Sequence, residues 1–225
     1  MHKIQLAVFD MAGTVVNEDN VVYKTLQKAI NQKGYELNLD FVLEHGAGKE
    51  KHQAIKDILK AIGKGESEPS QPIFENFKLM LDEAYANLEV SSFEGVEKTL
   101  SRLKKQHIKI ALNTGYNKKI ASLLLKKMNW EEGKQYDALI TADDVVEGRP
   151  HPAMILEAMK RLNVKDASQV LKAGDSIIDI EEGKNAHCGV TIGVTTGAHT
   201  GQQLESAKPT YVVRSLTELE QLVNA

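Results

Sequence analysis

Residues 4–14, Ile4-Gln5-Leu6-Ala7-Val8-Phe9-Asp10-Met11-Ala12-Gly13-Thr14, decide how the chain is read. A short, largely apolar run that stops at an acidic residue and a glycine has the form of a buried strand leading into a tight turn. Similar runs recur at 108–112, 138–140, 170–173 and 190–194, with a last short one at 211–213. Helical patterns fall between them, at 96–105, 118–127, 153–162, 179–186 and 216–223. This alternation predicts an α/β fold: a Rossmann-like, mostly parallel sheet with helices on both faces.

The stretch 17–91 breaks the alternation, with helical patterns at 22–33, 40–44, 49–62 and 73–87 and no convincing strand. Glycine-containing loops at 34–35 and 63–72 separate them. The expectation is an inserted α-helical cap domain, 17–91, on an α/β core built from 1–16 and 92–225. It would stand over the carboxyl ends of the strands, where open α/β sheets bind ligands. The chain would hinge near 15–17 and 91–93, where the insertion leaves and rejoins the core.

At 225 residues, 42% apolar and 26% charged, the chain is long enough to bury a sizeable core. A formal charge of −3 gives no reason to expect nucleic acid or membrane as partner. Cys188 is the sole cysteine, so no intrachain disulfide can form, which fits a reducing compartment. The N-terminal apolar run is too short for a signal peptide, and nowhere do eighteen apolar residues occur together. The expectation is a cytoplasmic protein acting on a small molecule. Its oligomeric state is open, a homodimer included.

Four segments each follow an expected strand: Asp10 to Thr14; Asn113-Thr114-Gly115-Tyr116; Gly148-Arg149-Pro150; and Gly174-Asp175-Ser176 with Asp179 four residues after Asp175. Parallel strands would bring all four to one edge of the sheet. There they supply a carboxylate nucleophile, a hydroxyl and backbone N–H groups for phosphoryl oxygens, a fixed cation, and acids for a hard metal, for which Mg²⁺ is the natural choice. Each part taken alone has a plainer reading. Asp10 could be a turn former, Thr114 a helix cap, Arg149 a surface charge, and Asp175 with Asp179 a capped helix start. All four would have to be coincidences, in order and on strand ends.

With these segments the chain resembles the haloacid dehalogenase superfamily over essentially its whole length. The resemblance implies that Asp10 is the nucleophile that becomes an aspartyl-phosphate, Thr114 the second-motif hydroxyl and Arg149 the third-motif cation. It implies Mg²⁺ held by Asp10, the Ala12 carbonyl and Asp175, with Asp179 contributing directly or through water. Most phosphatases of this superfamily carry an aspartate two residues after the nucleophile, to protonate the leaving alcohol. Ala12 stands there instead, which removes a contribution typically worth about 10²–10⁴-fold in rate.

Alanine at this position is found in the phosphonatase branch, which cleaves the carbon–phosphorus bond of phosphonoacetaldehyde. The segment His45-Gly46-Ala47-Gly48-Lys49-Glu50-Lys51-His52 resembles the phosphonatase cap segment that bears a Schiff-base lysine. The match puts Lys49 on the lysine position and His52 on its histidine, three residues on and on the same face if both are helical. Gly48, Gly115 and Tyr116 fall with Ala12 and His52 among the expected substrate contacts. The resemblance departs at Asn20, where a cysteine is expected, and at His45, where a methionine is expected. It therefore implies a hydrolase of small phosphonates. A phosphatase for a small phosphorylated metabolite and, last, a non-catalytic phosphate-binding module are the alternatives.

Overall fold

The computed structural model describes residues 3–65, 69–219 and 222. The first strand, β1 (Leu6–Asp10), is buried at every position, as its near-continuous apolar sequence requires of a strand covered on both faces. After it come the two-residue β2 (Val16–Asn17) and four helices, α1 (Val21–Asn31), α2 (Leu39–Gly46), α3 (Lys51–Ala61) and α4 (Ser70–Asn87). The two-residue β3 (Ser91–Ser92) pairs antiparallel with β2, Val16 opposite Ser92, so outgoing and returning chains run side by side at a narrow neck. The expected junctions at 15–17 and 91–93 are this neck.

The remainder alternates: α5 (Val96–Lys105), β4 (Lys109–Asn113), α6 (Lys118–Lys127), β5 (Ala138–Ile140), α7 (Ala153–Arg161), β6 (Val170–Gly174), α8 (Ile177–Asn185), β7 (Val190–Val194), α9 (Gly201–Ser206) and β8 (Tyr211–Val213). Six strands form one parallel sheet in the order β5-β4-β1-β6-β7-β8. The chain builds outward from β1 to β4 and β5, then crosses back to β6 on the other side of β1, which places the crevice-forming switch at β1. Period-two alternation sends Leu6 and Val8 to one apolar cluster, with Met154, Ile155 and Ala158 of α7. Ala7 and Phe9 join the other, with Val96, Leu100, Leu103, Ile120 and Leu124 of α5 and α6. That second cluster runs on without a break into the inserted helices through Leu26, Ile30, Ile55, Ile58 and Phe77.

Several helix ends fall one to three residues from the sequence expectation, and two of the differences bear on the site or on the chain end. The helix expected to start at 49 starts at Lys51, because the Glu50 carboxylate accepts the free N–H groups of His52 and Gln53 as an N-cap, and Gly48 just before it has φ 76°. Lys49 is therefore outside the helix, and the shared helical face expected for Lys49 and His52 does not exist. The helix expected over 216–223 begins as a 3₁₀ turn, Leu216–Glu218, and its last part lies largely outside the described residues. Among the described residues no helix is long and apolar enough to cross a membrane.

Ile110, fully buried in β4, tests how much the sheet packing contributes. Ile110→Ala should lower unfolding free energy by about 2–5 kcal/mol in urea titration, the range for a truncated aliphatic side chain in a core that cannot collapse around it.

Candidate active site

The register of the central strands assembles the site. Asp10, the last residue of β1, lies opposite Asn113, the last of β4, while Phe9 pairs with Ala173, so Asp175 emerges beside Asp10 one step beyond β6. Asp179 lies in the first turn of α8, where its Oδ2 accepts from the Ser176 N–H at 3.2 Å and the Ser176 hydroxyl at 2.5 Å. Asp179 thus caps α8 and at the same time turns a carboxylate oxygen toward Asp10 and Asp175. Oxygens of Asp10, Asp175 and Asp179 fall within 4.8 Å of one another, and all three residues are buried. Gly13 (φ 82°) makes this crowding possible, because a Cβ there would collide with the Asp175 carboxylate.

Three carboxylates this close and this dry cannot all ionise freely. Burial, with repulsion from Asp10 and Asp179, pushes Asp175 well above the usual carboxylate range. Burial also raises Asp10, against the pull of Arg149. Asp179 goes the other way, because Lys172 and Arg149 together outweigh its burial and hold it below the ordinary range. Arg149 Nη1 donates to Asp10 Oδ1 at 2.7 Å and to Asp179 Oδ1 at 2.5 Å. Its Nε–H is buried with no hydrogen-bond partner among the described residues, the kind of donor that an anionic ligand satisfies.

Sequence reasoning found Arg149 but missed the second cation. Lys172 is almost wholly inaccessible in β6, with Nζ 2.9 Å from Asp179 Oδ1 and 3.3 Å from Glu182 Oε2, and it donates to Asn113 Oδ1 at 2.7 Å. Asn113 completes the ring by donating to both Glu182 oxygens at 2.9 Å. A signal was present: Lys172 is the only charge in a strand reading Val-Leu-Lys-Ala-Gly, and lysine is almost never fully buried unless paired.

Thr114 and Gly115 follow β4 as expected. Thr114 is buried, and its Oγ1 accepts from the Tyr116 N–H at 3.2 Å, which leaves its own O–H to donate. A Cβ on Gly115 would lie 3.4 Å from Arg149 Nη2 and 3.5 Å from the Lys49 carbonyl oxygen, so the loop carrying Gly48 and Lys49 sits directly on the core loops. Gly48 is as close on its other side, since a Cβ there would be 2.6 Å from Ser176 Oγ. A cleft of about 520 Å³ opens beside Arg149, with Gly48, Lys49, Gly115 and Ile178 in its wall. Ala12 is partly buried and brings no polar side chain to Asp10.

The inserted helices place the other expected contacts unevenly. Lys49 reaches the cleft, but its ammonium is paired with Asp57 of α3. His52 Nε2 lies 2.9 Å from Ser70 Oγ, and its ring stacks on Phe74 with centroids 4.8 Å apart, so its partners are in the helical layer. Tyr116 is buried and donates through its hydroxyl to Glu18 at 3.2 Å. Glu18 and Tyr23, buried with Lys51 where the helical layer meets the core, were not singled out from the sequence. Charges and tyrosines at helix starts are too common to carry a signal.

Known proteins resemble this arrangement. The haloacid dehalogenase-like hydrolase family matches residues 7–193. A phosphonoacetaldehyde hydrolase of Latilactobacillus sakei subsp. sakei is 30% identical over 198 residues, covering 83% of this chain and 74% of that protein. One from Bacillus cereus is 27% identical over 218 residues, covering 91% and 82%. Among solved structures, a phosphonoacetaldehyde hydrolase-like protein from Oleispira antarctica superposes with a TM-score of 0.85 at 23% identity, over 99% of this chain and 92% of that one. A hydrolase from Pseudomonas syringae gives 0.83 at 20% identity, over 98% of each.

Lys172 offers a direct test of the charge balance. The stability Asp179 contributes is present above about pH 4, its unfolded range, and is lost as acid protonates it. Lys172→Ala removes the strongest attraction holding Asp179 down. The variant should be less stable at pH 7 by about 3–5 kcal/mol in urea titration, as for a buried pair broken on one side. The gap should narrow as pH falls from the ordinary carboxylate range to below it, where folded Asp179 itself takes up a proton.

Proposed function

We propose that this chain, which belongs to the haloacid dehalogenase-like hydrolases, hydrolyses the carbon–phosphorus bond of phosphonoacetaldehyde or a similar small carbonyl phosphonate. The observation that carries this reading is what stands around Asp10. Residue 12 offers no acid to protonate a departing alkoxide, while a lysine-bearing loop is seated against the phosphoryl-binding residues. The names of the similar proteins from Latilactobacillus sakei and Bacillus cereus agree with it.

The donor set suits Mg²⁺, a hard cation that takes a few carboxylates, since crowded carboxylates are what such a charge relieves. Asp10, the Ala12 carbonyl and Asp175 would hold it, with Asp179 alongside, and it would neutralise charge on the transferring phosphoryl group. Arg149 binds phosphoryl oxygens through its free N–H, and Thr114 donates its hydroxyl to another. The Asp10 carboxylate attacks phosphorus, forming a P–O bond as the P–C bond breaks. The electron pair of that bond needs a sink, which an iminium made from the substrate carbonyl and a lysine amine supplies; Lys49 is the lysine the sequence resemblance selects. Water then cleaves the aspartyl-phosphate and restores Asp10.

A phosphate-release assay comparing phosphonoacetaldehyde with a panel of phosphate monoesters decides the substrate class. The phosphonate should be turned over and the esters should trail by about 10²-fold or more, given the missing acid. Esters turned over faster than the phosphonate would contradict the reading. Asp10→Asn should abolish release, and removal of Mg²⁺ by chelation should do so reversibly. Ala12→Asp should raise ester hydrolysis by about 10²–10⁴-fold, the value of a positioned general acid.

A further inference from the structure

Between β7 and α9 the chain reads Thr195-Thr196-Gly197-Ala198-His199-Thr200, a further loop that follows a strand end. It closes over Asp175. The Ala198 N–H donates to Asp175 Oδ2 at 2.6 Å, and the His199 N–H donates to the Asp175 carbonyl oxygen at 3.2 Å. The Thr196 hydroxyl donates to the Gly13 carbonyl oxygen at 2.6 Å, which ties the turn after Asp10 to the same loop. Only glycine fits between them, because a Cβ on Gly197 would lie 1.9 Å from Asp175 Oδ2.

His199 also uses its ring, which is buried. Its Nδ1 accepts the N–H of Ile177 at 3.0 Å. Ile177 opens α8, where an N–H has no partner within the helix, and it stands two residues after Asp175 and two before Asp179. A ring nitrogen that accepts carries no hydrogen, so the proton of the neutral ring is on Nε2. The ring's other hydrogen bond is to the backbone of Leu43, in the last turn of α2, where a ring N–H can serve only a carbonyl. Any buried histidine must find partners, but these two belong to different layers of the molecule. From α2 the chain passes through Ala47 into the Gly48-Lys49 loop, and Gly48 sits against Ser176, the neighbour of Ile177.

We infer that His199 is a positioning residue that couples the seating of the inserted helices to the geometry of the acid cluster. One nitrogen fixes the turn between Asp175 and Asp179, and the other holds the end of α2. This rests on the reading of Asp10, Asp175 and Asp179 as a Mg²⁺ site, and not on the choice of phosphonate or ester as substrate. While both ends of the ring are anchored, the first turn of α8 keeps its orientation. When α2 lifts, the ring loses one anchor and the Ile177 N–H loses a fixed acceptor. Groups that orient metal-binding side chains from outside typically contribute about 10–100-fold in metal affinity.

Two substitutions in the full-length chain cut the two bonds separately. In His199→Asn the amide oxygen reaches the Nδ1 position and keeps an acceptor for Ile177, but nothing reaches Leu43. In His199→Gln the amide nitrogen reaches the Nε2 position and keeps a donor for Leu43, but the Ile177 N–H has no acceptor. Titration calorimetry with Mg²⁺ alone reads the acid cluster. Hydrogen exchange read by mass spectrometry follows the end of α2, where the Ala47 N–H donates to the Leu43 carbonyl oxygen at 2.9 Å.

His199→Gln should weaken Mg²⁺ binding by about 10-fold or more, with exchange at 43–47 near that of wild type. His199→Asn should keep Mg²⁺ affinity within a few-fold and exchange about 10-fold faster at 43–47, the worth of one hydrogen bond to local opening. Because coupling is reciprocal, Mg²⁺ should slow exchange at 43–47 in wild type and leave it unchanged in both variants, each of which cuts the link at one end. A histidine that only fills space would not produce that difference. Exchange at 43–47 that ignores Mg²⁺ in wild type, or that Mg²⁺ slows equally in the variants, overturns the coupling and leaves the metal reading standing. Wild type that binds no Mg²⁺ overturns both. Urea titration checks that the variants fold, and if neither does, the wild-type exchange with and without Mg²⁺ decides alone.

Discussion

Asp10, Asp175 and Asp179 bring their oxygens within 4.8 Å of one another at the ends of β1 and β6, and the rest of the molecule is arranged around that crowding. Left to themselves they would take up protons or separate. Arg149 bridges Asp10 and Asp179, and Lys172 holds Asp179 with Glu182 and Asn113 from beneath. The result is inequality: Lys172 and Arg149 hold Asp179 below the ordinary carboxylate range, while burial raises Asp10 and Asp175. The parallel sheet is what makes this possible, because it sends consecutive strand ends to one edge and buries them on both faces.

Much of this was legible in the sequence because parallel strands announce themselves as short apolar runs, and the site residues follow those runs directly. Asp10, Thr114, Arg149, Asp175 and Asp179 needed only strand order to be gathered. Lys172 was harder, since a charge within an apolar strand gives no hint of its partners before the register of β6 against β1 and α8 is known. The burial of Lys51 and Glu18 was not legible. Their burial depends on how the inserted helices lie on the core, and one start signal, the Glu50 cap, shifts α3 by two residues and changes which lysine it carries inward.

The inserted helices are more than a cover. Their apolar cluster is continuous with one face of the sheet, Gly48 and Gly115 let the two sets of loops approach closely, and Glu18 joins phenols from both layers.

The central claim is covalent catalysis by Asp10, and rapid acid quench under single-turnover conditions tests it most directly. With phosphonoacetaldehyde and enzyme in excess, the account predicts an acyl-phosphate that appears before free phosphate and maps to Asp10. Phosphate released at the full rate with no phosphorylated intermediate, or with the phosphoryl group on another residue, would contradict it.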